Sequence, residues 1–234
     1  REGNVEWANL TSPARHAKSG IANLRLFPDG SIVGDLEVQF KEYANIDIRR
    51  DLKDKKDLEI AKEVFNAEEE GLTIDSVLIT GRDNDTIALT VKAWISSNLY
   101  AQRAGDLLYI NPTILFRLKE NPFRTRERNF PIDYGYGRES VSTVRLTLPE
   151  GFELKEKYLE RGASIRSDIR FARRKEMGDG TITLWNTFVV AATMFQPDMY
   201  ERLRDLYSVV VSHQSEQLVL AQKQSGSQEK KPSR

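Results

Sequence analysis

Apolar and polar residues alternate with a period of two through Ile32, Gly34, Leu36, Val38 and Phe40, with Asp35, Glu37 and Gln39 between them. That is the pattern of a strand with one buried face. Residues 21–27 precede it, and Pro28-Asp29-Gly30-Ser31 supplies turn chemistry, so the two runs predict a hairpin. Residues 46–70 change period: Leu58, Ala61, Val64 and Phe65 share a helical face, Gly71 ends the pattern, and a break is expected near Asp54. Runs 72–80 and 86–95 flank Gly81-Arg82-Asp83-Asn84-Asp85 as a second hairpin, with Ile87, Leu89, Val91, Ala93 and Ile95 on one side. Two short strands, 107–110 and 113–118, are separated by Asn111-Pro112.

Between Glu120 and Gly137 no regular period survives. The run NPFRTRERNFPIDYGYG predicts a long ordered loop, a strap between units. Val144, Leu146 and Leu148 then alternate with Arg145 and Thr147 up to Pro149-Glu150-Gly151. Runs 164–174 and 181–190 make a third hairpin across Met177-Gly178-Asp179-Gly180. Pro197-Asp198 opens a helix, with Asp198 and Glu201 resembling a capping box and Met199, Leu203, Leu206 and Val210 at helical spacing. Leu218-Val219-Leu220 returns as a strand. The expected fold is therefore mainly β with helices (α+β): two β-sandwich-like units, 1–118 and 119–221, joined by the proline-rich strap. Residues 222–234, QKQSGSQEKKPSR in sequence from Gln222, carry no apolar anchor and are expected to be a flexible tail. The opening Arg1-Glu2-Gly3-Asn4, without an initiator Met or a signal segment, reads as a piece of a longer polypeptide.

Charge narrows the choice of function. The 35 Lys plus Arg are balanced by 35 Asp plus Glu, which removes the basic excess that a phosphate-binding surface needs, so nucleic acid is not an expected partner. No apolar run approaches the ~20 residues that span a bilayer. Zero cysteines exclude disulfides, thiolate metal sites and a cysteine nucleophile within the chain. His16 and His213 are the two histidines, and neither has a sequence neighbour that would orient it for acid–base work. The chain is therefore expected to be no enzyme by itself, with no catalytic, cofactor-binding or metal-binding residue.

Two constellations remain. Asp83, Asn84 and Asp85 offer calcium-type oxygens, but the same residues suit a tight turn, and no downstream Glu completes a calcium loop. Arg117, Lys119, Arg124, Arg126 and Arg128 interleave with Phe123, Phe130, Tyr134 and Tyr136. Such a mixture stacks on rings or grips carboxylates, and equally fills a gap between units. Arg124, Arg126, Arg128, Tyr134 and Tyr136 are the candidate interaction surface. The bland reading buries Phe123, Phe130 and Tyr134 and gives Asp133 a hydrogen-bond partner.

Asn121-Pro122-Phe123, the run Arg128-Asn129-Phe130-Pro131-Ile132-Asp133-Tyr134, and Leu148-Pro149-Glu150-Gly151-Phe152 together resemble a known pattern. It is the C-terminal region of large bacterial extracytoplasmic proteins in which a β-domain and a transglutaminase-like core come first. The Leu24-Leu26-Asp29-Gly30-Gly34 hairpin and residues 43–52 resemble that family's preceding unit. Ile132, Tyr134 and Phe152 stand where the family commonly has Val, Phe and Tyr. The resemblance implies a domain of unknown function serving as a non-catalytic accessory or interaction region of a papain-type, transglutaminase-like protein. It further implies a periplasmic or cell-surface location and the upstream core as partner. The alternative is a sandwich module that binds peptide or glycan through exposed aromatics.

Overall fold

The computed structural model describes residues 13–155 and 160–223. The expected tail from 224 onward and the first twelve residues lie outside them. Strands β1 (Arg15–Leu26) and β2 (Ile32–Glu42) form the first hairpin, paired from Leu26 opposite Ile32 to His16 opposite Glu42. Asp29 holds the turn by accepting from the Ser31 N–H at 2.9 Å and its hydroxyl at 2.6 Å. Three short helices follow: α1 (Tyr43–Asp51), α2 (Asp57–Val64) and α3 (Ala67–Glu70). The break predicted near Asp54 is present, and Gly71 ends α3 with φ 65°. Leu58, expected inward, is exposed, and Ile60 takes the buried position instead.

Strands β3 (Thr73–Thr80) and β4 (Leu89–Ser97) make the second hairpin. A register shift between Ile74 and Ser76 bulges β3. Next come β5 (Gln102–Ala104) and β6 (Leu107–Ile110), whereas residues 113–118 form no strand. The strap contains only β7 (Ile132–Asp133). Then follow β8 (Gly137–Thr147), β9 (Phe152–Leu154), β10 (Arg161–Ile165), β11 (Ile169–Gly178), β12 (Thr181–Val190), β13 (Met194–Phe195), α4 (Tyr200–Ser215) and β14 (Leu218–Gln222). A tight turn with Arg166 at φ 49° splits the single strand expected over 164–174 into β10 and β11. Helix α4 is entered through a 3₁₀ turn, Pro197–Met199, and no side chain caps it, so the expected Asp198 box does not form.

The fold is α+β and mainly β. Its centre is an eight-stranded sheet in the order β10-β11-β12-β8-β1-β2-β4-β3, antiparallel except for the parallel pair β1 and β8. A four-stranded sheet, β5-β6-β14-β9, and a small β13-β7 pair complete it. One face of the large sheet is covered: α1 and α2 pack over β1–β4, and α4 packs over the β10 end. The other face carries polar residues, with Trp94 under Lys92 and Trp185 under Arg174 at 5.3 and 5.6 Å.

The expected separation of hydrophobic cores at 118/119 is not what the packing produces. Val144, Leu146, Ile182 and Leu184 join Ala22, Leu24, Val38 and Val91 in one cluster, because β8 lies against β1. A second cluster gathers Ile169, Phe171, Val190, Phe195 and the inner side of α4. The two are divided by a row of register partners running across the strands: Gly20, Ser142, Asn186 and Arg173. The three polar members of that row are at most 6% exposed.

A sheet shared across position 119 should melt as a unit. Variants keeping only Trp94 or only Trp185 report from opposite sides of that position, and their urea transitions should coincide. Separated midpoints would show independent units.

Candidate functional site

Along β1 the inward-facing positions read Leu24, Ala22, Gly20, Lys18 and His16, so the row turns from apolar to cationic toward the strand's start. Along β8 the matching row reads Leu146, Val144, Ser142, Ser140 and Arg138. Parallel pairing sets His16 beside Arg138 and Lys18 beside Ser140. These four side chains floor a cleft of about 470 Å³. Phe188 and Val190 of β12 continue the floor, with Tyr207 of α4 and Phe123 and Tyr134 of the strap on one side, and Phe116 and Arg117 on the other.

Each wall is held by identifiable contacts. Gly20 is where the wall meets the sheet: a Cβ there would lie 2.9 Å from Leu115 Cδ1 and 3.2 Å from the Phe116 ring. Phe116 itself sits at φ 56°, a conformation that costs a bulky residue about 1 kcal/mol or more. The following residue anchors it, since Arg117 Nη2 donates to both oxygens of Glu70 at 2.5 and 2.7 Å. Lys119 adds pairs to Glu69 and Glu70 at 2.6 and 3.0 Å. On the opposite wall Phe123 packs edge-on against Tyr200 and Tyr207, and the Tyr134 and Tyr207 hydroxyls share a hydrogen bond of 3.1 Å.

The charges on the floor are unbalanced locally. Among the described residues neither Lys18 nor Arg138 forms an ion pair. Arg138 lies over the Tyr134 ring at 5.2 Å, and Lys18 over Phe40 at 5.9 Å. Burial, and then the field of Arg138, hold the Lys18 ammonium below the ordinary lysine range, with Asp47 opposing. His16 is likewise lowered by burial, Lys18 and Arg138, although Asp47 lies 3.9 Å from its Nε2. Burial raises the Tyr134 and Tyr207 hydroxyls, so both stay protonated.

The residues singled out by sequence meet this cleft unevenly. Tyr134 lines it. Tyr136 sits beside it, donating to Asp47 at 2.8 Å and stacked on Tyr43 and His16, which ties the strap to α1. Arg124, Arg126 and Arg128 do not reach it. Arg124 pairs with Glu120, the Arg126 carbonyl accepts from Arg204, and Arg128 donates to the Phe130 carbonyl. Phe123 and Tyr134 are half-buried, but Phe130 is 76% exposed, contrary to the expected burial. The strap turns outward there, between the anchors at Asn121, which donates to the Arg204 carbonyl, and Ile132 in β7. Asp133 accepts from the Gly135 N–H at 2.7 Å. The calcium reading of Asp83-Asn84-Asp85 gives way to an internal cation: Arg49 of α1 donates to the carbonyls of Gly81, Arg82, Asn84 and Ile87. His213 approaches Glu216 at 3.1 Å, and its ring stacks on Phe171. Sequence reading overlooked Lys18, Arg138, Phe116, Phe188 and Tyr207. The available signal was the alternation of Leu24 and Ala22 continued backward through Gly20 to Lys18 and His16, beyond the run 21–27 expected as a strand.

Two mutational contrasts follow from this geometry. Phe123→Ala should cost roughly 2–3 kcal/mol through lost edge contacts, while Phe130→Ala should stay within about 0.5 kcal/mol, read by urea unfolding. Equal losses would mean that the strap packs differently. Lys18 is protonated in the unfolded chain up to about pH 10.5 and gives up its proton earlier when folded, so its charge is a burden on the native state below that range. Lys18→Met should therefore raise the unfolding midpoint near neutral pH, by a margin that shrinks as pH rises toward 10.5. A variant less stable than the parent at neutral pH would contradict this.

Residues 106–220, from the β5–β6 turn into β14, match the family model DUF3858, described as a domain of unknown function with a solved structure. No curated protein matches the chain. A protein from Parabacteroides distasonis described as a candidate protease superposes with a TM-score of 0.43 at 16% identity, over 51% of this chain. The match spans only about a quarter (24%) of that protein's length.

Proposed function

We propose that the chain is a non-catalytic accessory region, one that holds a ligand for a larger bacterial, extracytoplasmic polypeptide whose upstream part is transglutaminase-like. The observation that carries this reading is the cleft. A rigid sheet floor presents Lys18 and Arg138 on adjacent paired strands, diagonally across from one another, and aromatic walls flank it. Cation and ring together are recognition chemistry, whereas turnover needs a nucleophile or acid–base group oriented by a partner. The short motifs in the strap and around Pro149-Glu150-Gly151 support placement beside a transglutaminase-like core, with the core as its partner and the periplasm or cell surface as its location. A second reading, binding of peptide or glycan by exposed aromatics alone, draws support from the outward Phe130.

The test begins with the parent reading frame, which should encode a Cys…His…Asp core upstream. Deleting residues 13–223 from that parent should leave kcat on a small amide substrate within about twofold and raise KM for a macromolecular substrate, as loss of uniform binding does. Amide hydrolysis by the isolated chain, or a parent without such a core, would overturn the proposal.

A further inference from the structure

The cleft also specifies what it would hold, granted the accessory reading above. We infer that it binds an acidic peptide segment whose carboxylate sits on Lys18 and Arg138 and whose apolar neighbours rest on Phe116, Phe123 and Phe188.

Three features lead there. First, the two cations lie diagonally across the paired β1 and β8 floor, and among the described residues neither makes an ion pair, although acids are plentiful in the chain. Glu139 at the rim is already paired with Arg15 at 2.8 Å, and Asp47 is committed to Tyr136 and Arg50. Like charges kept together at a stability cost are poised for an anion. Second, Arg138 lies over the Tyr134 ring at 5.2 Å, a contact that restrains the guanidinium, whose fork of donors matches a carboxylate. Third, apart from His16, Ser140 and the already paired Arg117 and Glu139, the remaining lining is apolar or aromatic, and the Tyr134 and Tyr207 hydroxyls satisfy one another. A sugar acid would bring many hydroxyls to a surface with few neutral partners for them. A glutamate or aspartate flanked by leucine or phenylalanine brings one charge and apolar area, which is what the cleft offers. Its volume of about 470 Å³ suits a short segment, within the ~300–1,000 Å³ usual for ligand sites.

The probe is a dye-labelled, amidated peptide alternating leucine and glutamate, followed by fluorescence polarisation on the full chain. Its glutamine counterpart and tetragalacturonate serve as comparisons. The glutamate peptide should bind, and Lys18→Met and Arg138→Gln should each weaken binding about tenfold or more, the scale of one lost charged hydrogen bond. Arg124→Gln, outside the cleft, should leave affinity unchanged. Thermal melts verify folding, and the exposed Arg138 keeps the test valid if Lys18→Met perturbs the sheet. Equal binding of the glutamine peptide, full affinity in both cleft variants, or no binding at all would overturn the ligand assignment. Tighter binding of tetragalacturonate would replace peptide by acidic glycan. Mass spectrometry of the recovered peptide separates the two claims: a cleaved peptide overturns the accessory reading, whereas an intact, unbound one overturns only the choice of ligand.

Discussion

The parallel alignment of β1 with β8 is the constraint on which the rest of the structure depends. Each of these strands already has an antiparallel partner, β2 for one and β12 for the other, so their mutual pairing fuses two four-stranded halves into one sheet. Its register then sets what faces the covered side. Leu24 beside Leu146 and Ala22 beside Val144 extend one apolar cluster across the junction. A slip of one residue between them would carry one of the two rows to the polar face while the other stayed inward, since side chains alternate along a strand.

Within that sheet, the boundary between cores runs across strands and not between stretches of sequence. Gly20, Ser142, Asn186 and Arg173 come from four different strands and lie in one row. The Asn186 amide reaches the Ser142 hydroxyl at 3.5 Å, and Arg173 donates to the His213 carbonyl at the end of α4. Beyond this row the β1 and β8 positions become cationic while β11 and β12 stay apolar. The cleft is therefore the place where the second core runs out of sheet-borne apolar residues, and the strap supplies aromatic walls over what is left.

Sequence alternation was enough to find the hairpins around Gly30, Gly81 and Gly180, because their turn residues and buried faces are local. Mainly β architecture followed from them. Pairing between β1 and β8 left no local mark: both strands read as ordinary one-faced strands, and only tertiary pairing decides the neighbour. That is why two separate units were expected. The strap was legible as irregular and aromatic, but its exposure pattern was not, since the Phe123 and Phe130 contexts are alike in sequence and differ only in whether α4 lies beneath them. Lys18 lay outside the run 21–27 read as the first strand, and its significance required Arg138, brought near it from a distant segment by the β1–β8 pairing.

Chain order gives the parallel junction a further consequence during synthesis. Within the large sheet β1 is made first, and its second neighbour, β8, follows only after β2, the three short helices, β3 to β6 and the whole strap with β7. Until then one edge of β1 offers unpaired N–H and C=O groups along twelve residues. Closing so long a loop is slow relative to hairpin formation. Were the β1–β2–β4–β3 half to form before β8 is available, it would be open-edged, and capture of β8 from a neighbouring nascent chain would give a strand-exchanged dimer. Protein yield should therefore depend on how crowded the ribosomes are on the message, although the finished sheet presents no such edge at this position.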